Sequence, residues 1–167
     1  MGNKGLILSD VQVKQKIKRI AYEIYENNSK EKEIILAGIM DQGYELAGLI
    51  LQELKAIAPF EVILIGVQLD KFAITQSEIT LSCDMSAIKN KCIVLIDDVM
   101  NTGRTMAYSL KPFLNVKVKK LETAVLVNRS HTQFPISTQY AGYHLATTMN
   151  EHVEVQLTSE RKEVYLR

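Results

Sequence analysis

The twelve residues Val94-Leu-Ile-Asp-Asp-Val-Met-Asn-Thr-Gly-Arg-Thr105 decide how the rest of the chain is read. Cys92 to Ile96 is a short apolar run of the kind that forms a strand buried on both faces. Asp97 and Asp98 follow at once, and two carboxylates at the end of an apolar strand are costly unless cations or hydrogen-bond donors meet them. Gly103 permits a tight turn with close backbone approach. Thr102 and Thr105 bring hydroxyls, Arg104 brings a guanidinium, and a helix is expected from Thr105 to about Leu114, limited by Pro112. A helix start offers free N–H groups and a partial positive charge of about half a unit, which suits a phosphate. The turn thus pairs acceptors for sugar hydroxyls with donors for a phosphate, the two needs of a ribose 5-phosphate. The plainer alternative is a capped helix start beside two solvated aspartates.

Working outward, Ser9 and Gln12 fit a capping box, and Val13, Ile17, Ile20, Ala21 and Ile24 recur at helical spacing up to about Asn27. Ile34 to Ile39 is a second apolar strand. Leu46, Leu49, Ile50, Leu54 and Ile57 line one face of a helix from Tyr44 to Ala58, stopped by Pro59. Strands are expected at 62–65 and 123–127, with shorter ones near 140–144 and 152–157. Residues 67 to 90 suit an exposed hairpin or flap. Buried strands alternating with amphipathic helices imply an α/β fold with a central parallel sheet flanked by helices. Its ligands bind beyond the carboxyl ends of the strands, in the turns at 39–43, 97–104 and 128–132.

The chain has 167 residues, enough for one domain that buries roughly 70% of its unfolded surface without disulfides. With no linker or repeat, residues 1–167 are read as one domain. Twenty basic against 19 acidic residues give a net charge of +1, which argues against a protein dedicated to coating nucleic acid. The Met1-Gly-Asn-Lys4 start is not signal-like and no window reaches a membrane span. A cytoplasmic protein with reduced Cys83 and Cys92 is therefore expected. His131, His144 and His152 have no metal-ligand spacing.

Four apolar residues, then Asp-Asp, then Thr-Gly-Arg-Thr resemble the phosphoribosyl pyrophosphate signature of type I phosphoribosyltransferases. The likeness covers most of the chain. Ile7-Leu8-Ser9, Ala124-Val-Leu-Val-Asn-Arg-Ser-His-Thr-Gln-Phe-Pro-Ile136, Gln139-Tyr-Ala-Gly142 and Val153-Glu-Val-Gln-Leu157 are most similar to the bifunctional pyrimidine operon regulator/uracil phosphoribosyltransferase branch.

The resemblance implies a phosphoribosyltransferase fold with a small hood or flap. It also implies a pentosyltransferase that moves a phosphoribosyl group from phosphoribosyl pyrophosphate to a nucleobase, uracil favoured, with release of pyrophosphate. Asp97 and Asp98 would hold the ribose hydroxyls and, through the ligand, Mg2+. Val99, Met100, Asn101, Thr102, Gly103, Arg104 and Thr105 would hold the 5-phosphate. Met40, Asp41, Gln42 and Gly43 would form the pyrophosphate loop, and Arg129 would serve the pyrophosphate or the base. A homodimer or higher homo-oligomer is implied as well.

Three departures are visible. Asp41 and Gln42 stand where the branch has a basic and a hydroxyl residue, which leaves open a magnesium-bridged role for Asp41 or a weakened pyrophosphate site. The stretch 67–76 is shorter than the branch's closing lid and keeps one cation, Lys71. Asn101 stands where purine-specific members place a carboxylate, and an amide cannot act as a general base at neutral pH. Two rival readings remain. One is an RNA-binding regulator of pyrimidine genes that uses the basic stripes Lys14, Lys16, Lys18, Arg19 and Lys117, Lys119, Lys120. The other is a non-catalytic phosphoribosyl pyrophosphate sensor.

Overall fold

The computed structural model describes residues 5–75 and 78–167. Gln76, the end of the expected lid stretch, and the Met1-Gly-Asn-Lys4 start lie outside the described residues. The elements run β1 (Gly5–Leu8), α1 (Asp10–Asn27), β2 (Glu33–Ile39), α2 (Gln42–Ile57), β3 (Glu61–Gln68) and β4 (Thr80–Leu81). A 3-10 turn (Met85–Ile88) leads to β5 (Cys92–Met100), α3 (Arg104–Ser109), α4 (Lys111–Leu114), β6 (Lys120–Asn128), β7 (Tyr140–His144), β8 (Val153–Leu157) and β9 (Lys162–Leu166).

The main sheet has the order β4-β3-β2-β5-β6-β7. Its strands β3, β2, β5, β6 and β7 are parallel, and β4 pairs antiparallel on the edge. Alternate residues feed two cores, as the period of two requires. Ile34 and Leu36 of β2 with Val94 and Ile96 of β5 pack under α1 and α2. Ile35, Ala37, Ile39, Ile93 and Leu95 pack on the other side against Met106, Phe113 and Ile88. Helix α1 begins as its sequence dictates: Ser9 Oγ accepts from Gln12 N–H and Gln12 Oε1 accepts from Ser9 N–H.

A second sheet, β1-β9-β8, is antiparallel throughout. It places Val155, Leu157 and Val164 on the α1/α2 core and forms the hood. Strands β1 and β9 carry too few alternating residues to be read from sequence. The hairpin expected within 67–90 is seen in its stem: β3 runs on to Gln68, and Thr80–Leu81 pairs antiparallel with its end.

Two boundaries near the decisive turn differ from expectation. Strand β5 does not stop at Ile96 but carries both aspartates and ends at Met100, because β6 continues to pair with it as far as Asn128. The helix after it is two short helices, α3 and α4. Pro112 has no N–H to extend α3 and sits in the first turn of α4.

Candidate active site

After β3 the chain passes over β2 to place β5 on its other side, so the strand order reverses between β2 and β5. The crevice at the carboxyl ends of those two strands is where ligands bind in such sheets. The turn after β2 and the turn after β5 meet there. Gly43 is the point of contact: a Cβ on it would lie 2.8 Å from Ile96 O and 3.0 Å from Asp97 Oδ1, so a larger residue would separate the two turns. At Gly103 the backbone has φ 85°, and a Cβ would meet Ile136 Cγ2 at 2.6 Å. Both conformation and space therefore call for glycine.

The turn 100–105 is braced by the segment that follows β6. Arg129 N–H donates to Met100 O at 3.0 Å, and Gln133 and Phe134 N–H donate to Thr102 O at 2.8 and 3.1 Å. Thr102 Oγ1 accepts from Arg104 N–H at 3.2 Å. A cavity of about 250 Å3 opens here, lined by Lys71, Asp97 and residues 99–106.

Asp97 is 3% exposed. Its Oδ1 accepts from Asp98 N–H at 2.9 Å and from Lys71 Nζ at 3.2 Å. Burial, followed by the neighbouring charge of Asp98, pushes its carboxyl well above the usual aspartate range, and Lys71 opposes them. The carboxylate is therefore short of positive charge in the free protein. Among the described residues no group of three or more His, Cys, Asp or Glu could hold a metal ion. A divalent cation at this carboxylate pair would need further oxygens from a ligand.

These elements meet as a carboxylate pair on one strand end, a braced glycine turn next to it and a reversal of strand order beneath both. A family profile described as "Phosphoribosyl transferase domain" matches residues 6–159. The chain belongs to that family. By class it is a pentosyltransferase of the phosphoribosyltransferase kind.

Among curated relatives, the bifunctional protein PyrR of Alkaliphilus metalliredigens is 34% identical over 165 residues, covering 94% of this chain and 90% of that protein. The PyrR of Streptococcus thermophilus is 35% identical, covering 93% and 91%. The hypoxanthine phosphoribosyltransferase of Trypanosoma cruzi superposes with a TM-score of 0.78 at 15% identity, covering 97% of this chain and 95% of that one. The last likeness speaks for the fold. The expected resemblance to the regulator branch and the expected α/β phosphoribosyltransferase fold both hold.

Within the phosphoribosyltransferase frame, the expected site residues fall into three groups. Asp97, Asp98 and 99–105 lie together. Met40 to Gly43 lie beside them at the β2 end. Asp41 is exposed at the start of α2 and makes no capping bond, whereas Gln42 Oε1 accepts from Leu157 N–H at 3.1 Å and ties this turn to the hood. Arg129 forms the third group. It is 6% exposed and donates to Asn101 Oδ1 (2.8 Å), Thr147 Oγ1 (2.9 Å), Thr148 O (3.3 Å) and Glu151 O (2.5 Å). Its guanidinium clasps the 147–151 segment to the turn after β5.

Two contacts were not readable in the sequence. The Lys71 ammonium reaches Asp97 across 26 positions. The Arg104 guanidinium turns away from the turn, donates to the carbonyls of Ala73 and Ile74, and stacks 5.0 Å from the Tyr108 ring. Residues 71–74 are thus held beside the cavity at both points. Lys71, the lone cation of the 67–76 stretch, was the one available signal.

The basic stripes are largely engaged. Lys14 pairs with Asp10 at 2.6 Å, Arg19 donates to Gly142 O at 2.7 Å, and Lys119 pairs with Glu31 at 2.8 Å. Lys120 reaches Asn27 O at 3.0 Å and Glu122 at 3.3 Å. No helix among the described residues is long and apolar enough to cross a membrane.

Proposed function

We propose that this phosphoribosyltransferase binds phosphoribosyl pyrophosphate and transfers its phosphoribosyl group to a nucleobase, uracil favoured. The observation that carries the reading is the buried Asp97, short of counter-charge, beside Asp98 and the braced turn 102–105. Asp97 and Asp98 accept from the ribose 2- and 3-hydroxyls. The backbone N–H groups and threonine hydroxyls of 102–105 hold the 5-phosphate.

A base nitrogen attacks C1 of the ribose as its N–H proton passes to solvent, and the C1–oxygen bond to pyrophosphate breaks with its electron pair leaving on oxygen. Charge develops on an oxocarbenium-like sugar, as in glycoside chemistry, so the protein acts by positioning and charge stabilisation. Mg2+ brought by the ligand would sit beside Asp97 and Asp98 and neutralise pyrophosphate oxygens. Uracil is favoured by the likeness to the regulator branch, and the Asn101 amide, which cannot serve as a general base, speaks only against a purine enzyme of the usual kind.

The test is incubation of the protein with phosphoribosyl pyrophosphate, Mg2+ and, separately, uracil, hypoxanthine, guanine and xanthine. Uridine 5′-monophosphate and pyrophosphate are expected from uracil. No nucleotide from any base ends the transfer reading. Should the melting temperature still rise with phosphoribosyl pyrophosphate, a sensor remains. RNA binding gains little from the engaged lysines, and a gel shift that resists salt would count against it.

A further inference from the structure

We infer that Asn101 reads the base by donating its amide N–H to an unprotonated acceptor such as a ring carbonyl, with Arg129 as the positioning residue that fixes this orientation. The inference rests on the phosphoribosyl reading above and deepens it. An asparagine side chain has an acceptor end and a donor end, whereas arginine carries five donors and no acceptor. Arg129 Nη1 lies 2.8 Å from the end of the Asn101 side chain. That end must be Oδ1, because the reverse would set N–H against N–H.

Arg129 is not free to turn. It is buried, and its other donors hold Thr147, Thr148 and Glu151. His131 Nε2 also meets Thr147 O at 2.8 Å and braces the same segment. Arg129 thus takes one lone pair of the Asn101 oxygen and fixes the amide, whose N–H2 has its donors left for the cavity this exposed side chain lines.

The position of that donor assigns its partner. In the proposed complex the sugar lies on Asp97 and Asp98 and the phosphate on 102–105. The Asn101 side chain leaves that turn toward the end of β6 and the 147–151 segment. The part of the ligand not yet accounted for is the base. A neutral donor there suits a ring carbonyl and opposes a ring N–H, which would place donor against donor. A carboxylate in the same place would have the opposite preference.

The test titrates the full chain and its Asn101→Asp variant with ribose 5-phosphate and with uridine 5′-monophosphate, read by calorimetry. Both ligands carry the same phosphate, so repulsion from the new carboxylate cancels in the ratio of the two Kd values. The wild type should favour the nucleotide, and the variant should lower that preference on the order of tenfold, the scale of one hydrogen bond turned to repulsion. Asn101→Leu, similar in volume and uncharged, should show a loss in the same direction and keeps the test open if the aspartate variant does not fold. An unchanged ratio in a chain that binds ribose 5-phosphate overturns the role of Asn101 alone. A wild type that binds neither ligand overturns the phosphoribosyl reading and this inference with it.

Discussion

Asp97 and Glu122 are both buried carboxylates on neighbouring parallel strands, and they live in opposite conditions. Glu122, near the amino end of β6, is 8% exposed. One oxygen accepts from the Tyr140 hydroxyl at 2.6 Å, and the other accepts from Asn28 Nδ2 at 3.0 Å with Lys120 Nζ 3.3 Å away. Burial and the carboxylate beside it hold the Tyr140 hydroxyl above its ordinary range, so it remains the donor. Asp97, at the carboxyl end of β5, is buried as deeply but has one backbone N–H, one ammonium and a second carboxylate for company. Glu122 is satisfied by the fold. Asp97 needs something the fold does not supply. In the proposed reading, Glu122 at the amino end of the sheet serves stability and Asp97 at the carboxyl end serves a ligand.

That contrast can be broken experimentally, and the largest expected effect comes first. Replacing both Asp97 and Asp98 with alanine should weaken phosphoribosyl pyrophosphate binding at least about hundredfold, since two hydrogen bonds to charged acceptors are lost. Calorimetric titration checks it, and unchanged affinity would make the pair a structural feature like Glu122. The next effect is on stability. Glu122→Ala strands the Tyr140 hydroxyl and the Asn28 amide, at a cost of about 2–4 kcal/mol, seen as a fall in Tm of roughly 5–10 °C. Ligand affinity should stay within about threefold because the substitution lies at the far end of the sheet. A loss of affinity without a loss of Tm would contradict the division between the two ends.

The smallest effect sharpens the comparison. The folded chain raises the Asp97 pKa above its value of 3.8 in an ordinary setting. Ionisation of Asp97 therefore opposes folding, and the free protein loses stability as pH rises from 3.8 through the raised value. Asp97→Asn removes that loss. At neutral pH the variant should melt about 2 °C or more above the wild type in the absence of ligand. The advantage should shrink as pH is lowered to 3.8 and vanish below it, where the aspartate is protonated both folded and unfolded. A scan of Tm against pH that shows the variant less stable at neutral pH would mean that Asp97 is satisfied after all. The expected gain would be the usual mark of a residue strained for function, as the proposed role of Asp97 requires.

Much of the architecture was readable because local pattern and tertiary need agree in it. Ile34 to Ile39 and Cys92 to Ile96 are apolar on both faces, and only a sheet covered on both sides uses such runs. Ser9 and Gln12 close a capping box within one turn, so nothing distant is needed to form it. The Asp97 to Thr105 turn was legible for the same reason: the carboxylates, the glycine and the hydroxyls are contiguous. Strands β1 and β9 were not legible. Gly5–Leu8 and Lys162–Leu166 pair with each other across the length of the chain, and no local signal announces a partner that distant.

The sequence by itself determined a doubly covered parallel sheet and marked the Asp97 to Thr105 turn as the candidate sugar-phosphate site, because period, capping and turn chemistry act over a few residues. Tertiary structure alone decided what those residues do with their polar groups. It committed Arg129 to Asn101 and the 147–151 segment, turned Arg104 outward onto the carbonyls of Ala73 and Ile74, and brought Lys71 to Asp97. The reason is that a hydrogen-bond partner is chosen by distance and burial in space, which spacing along the chain does not encode.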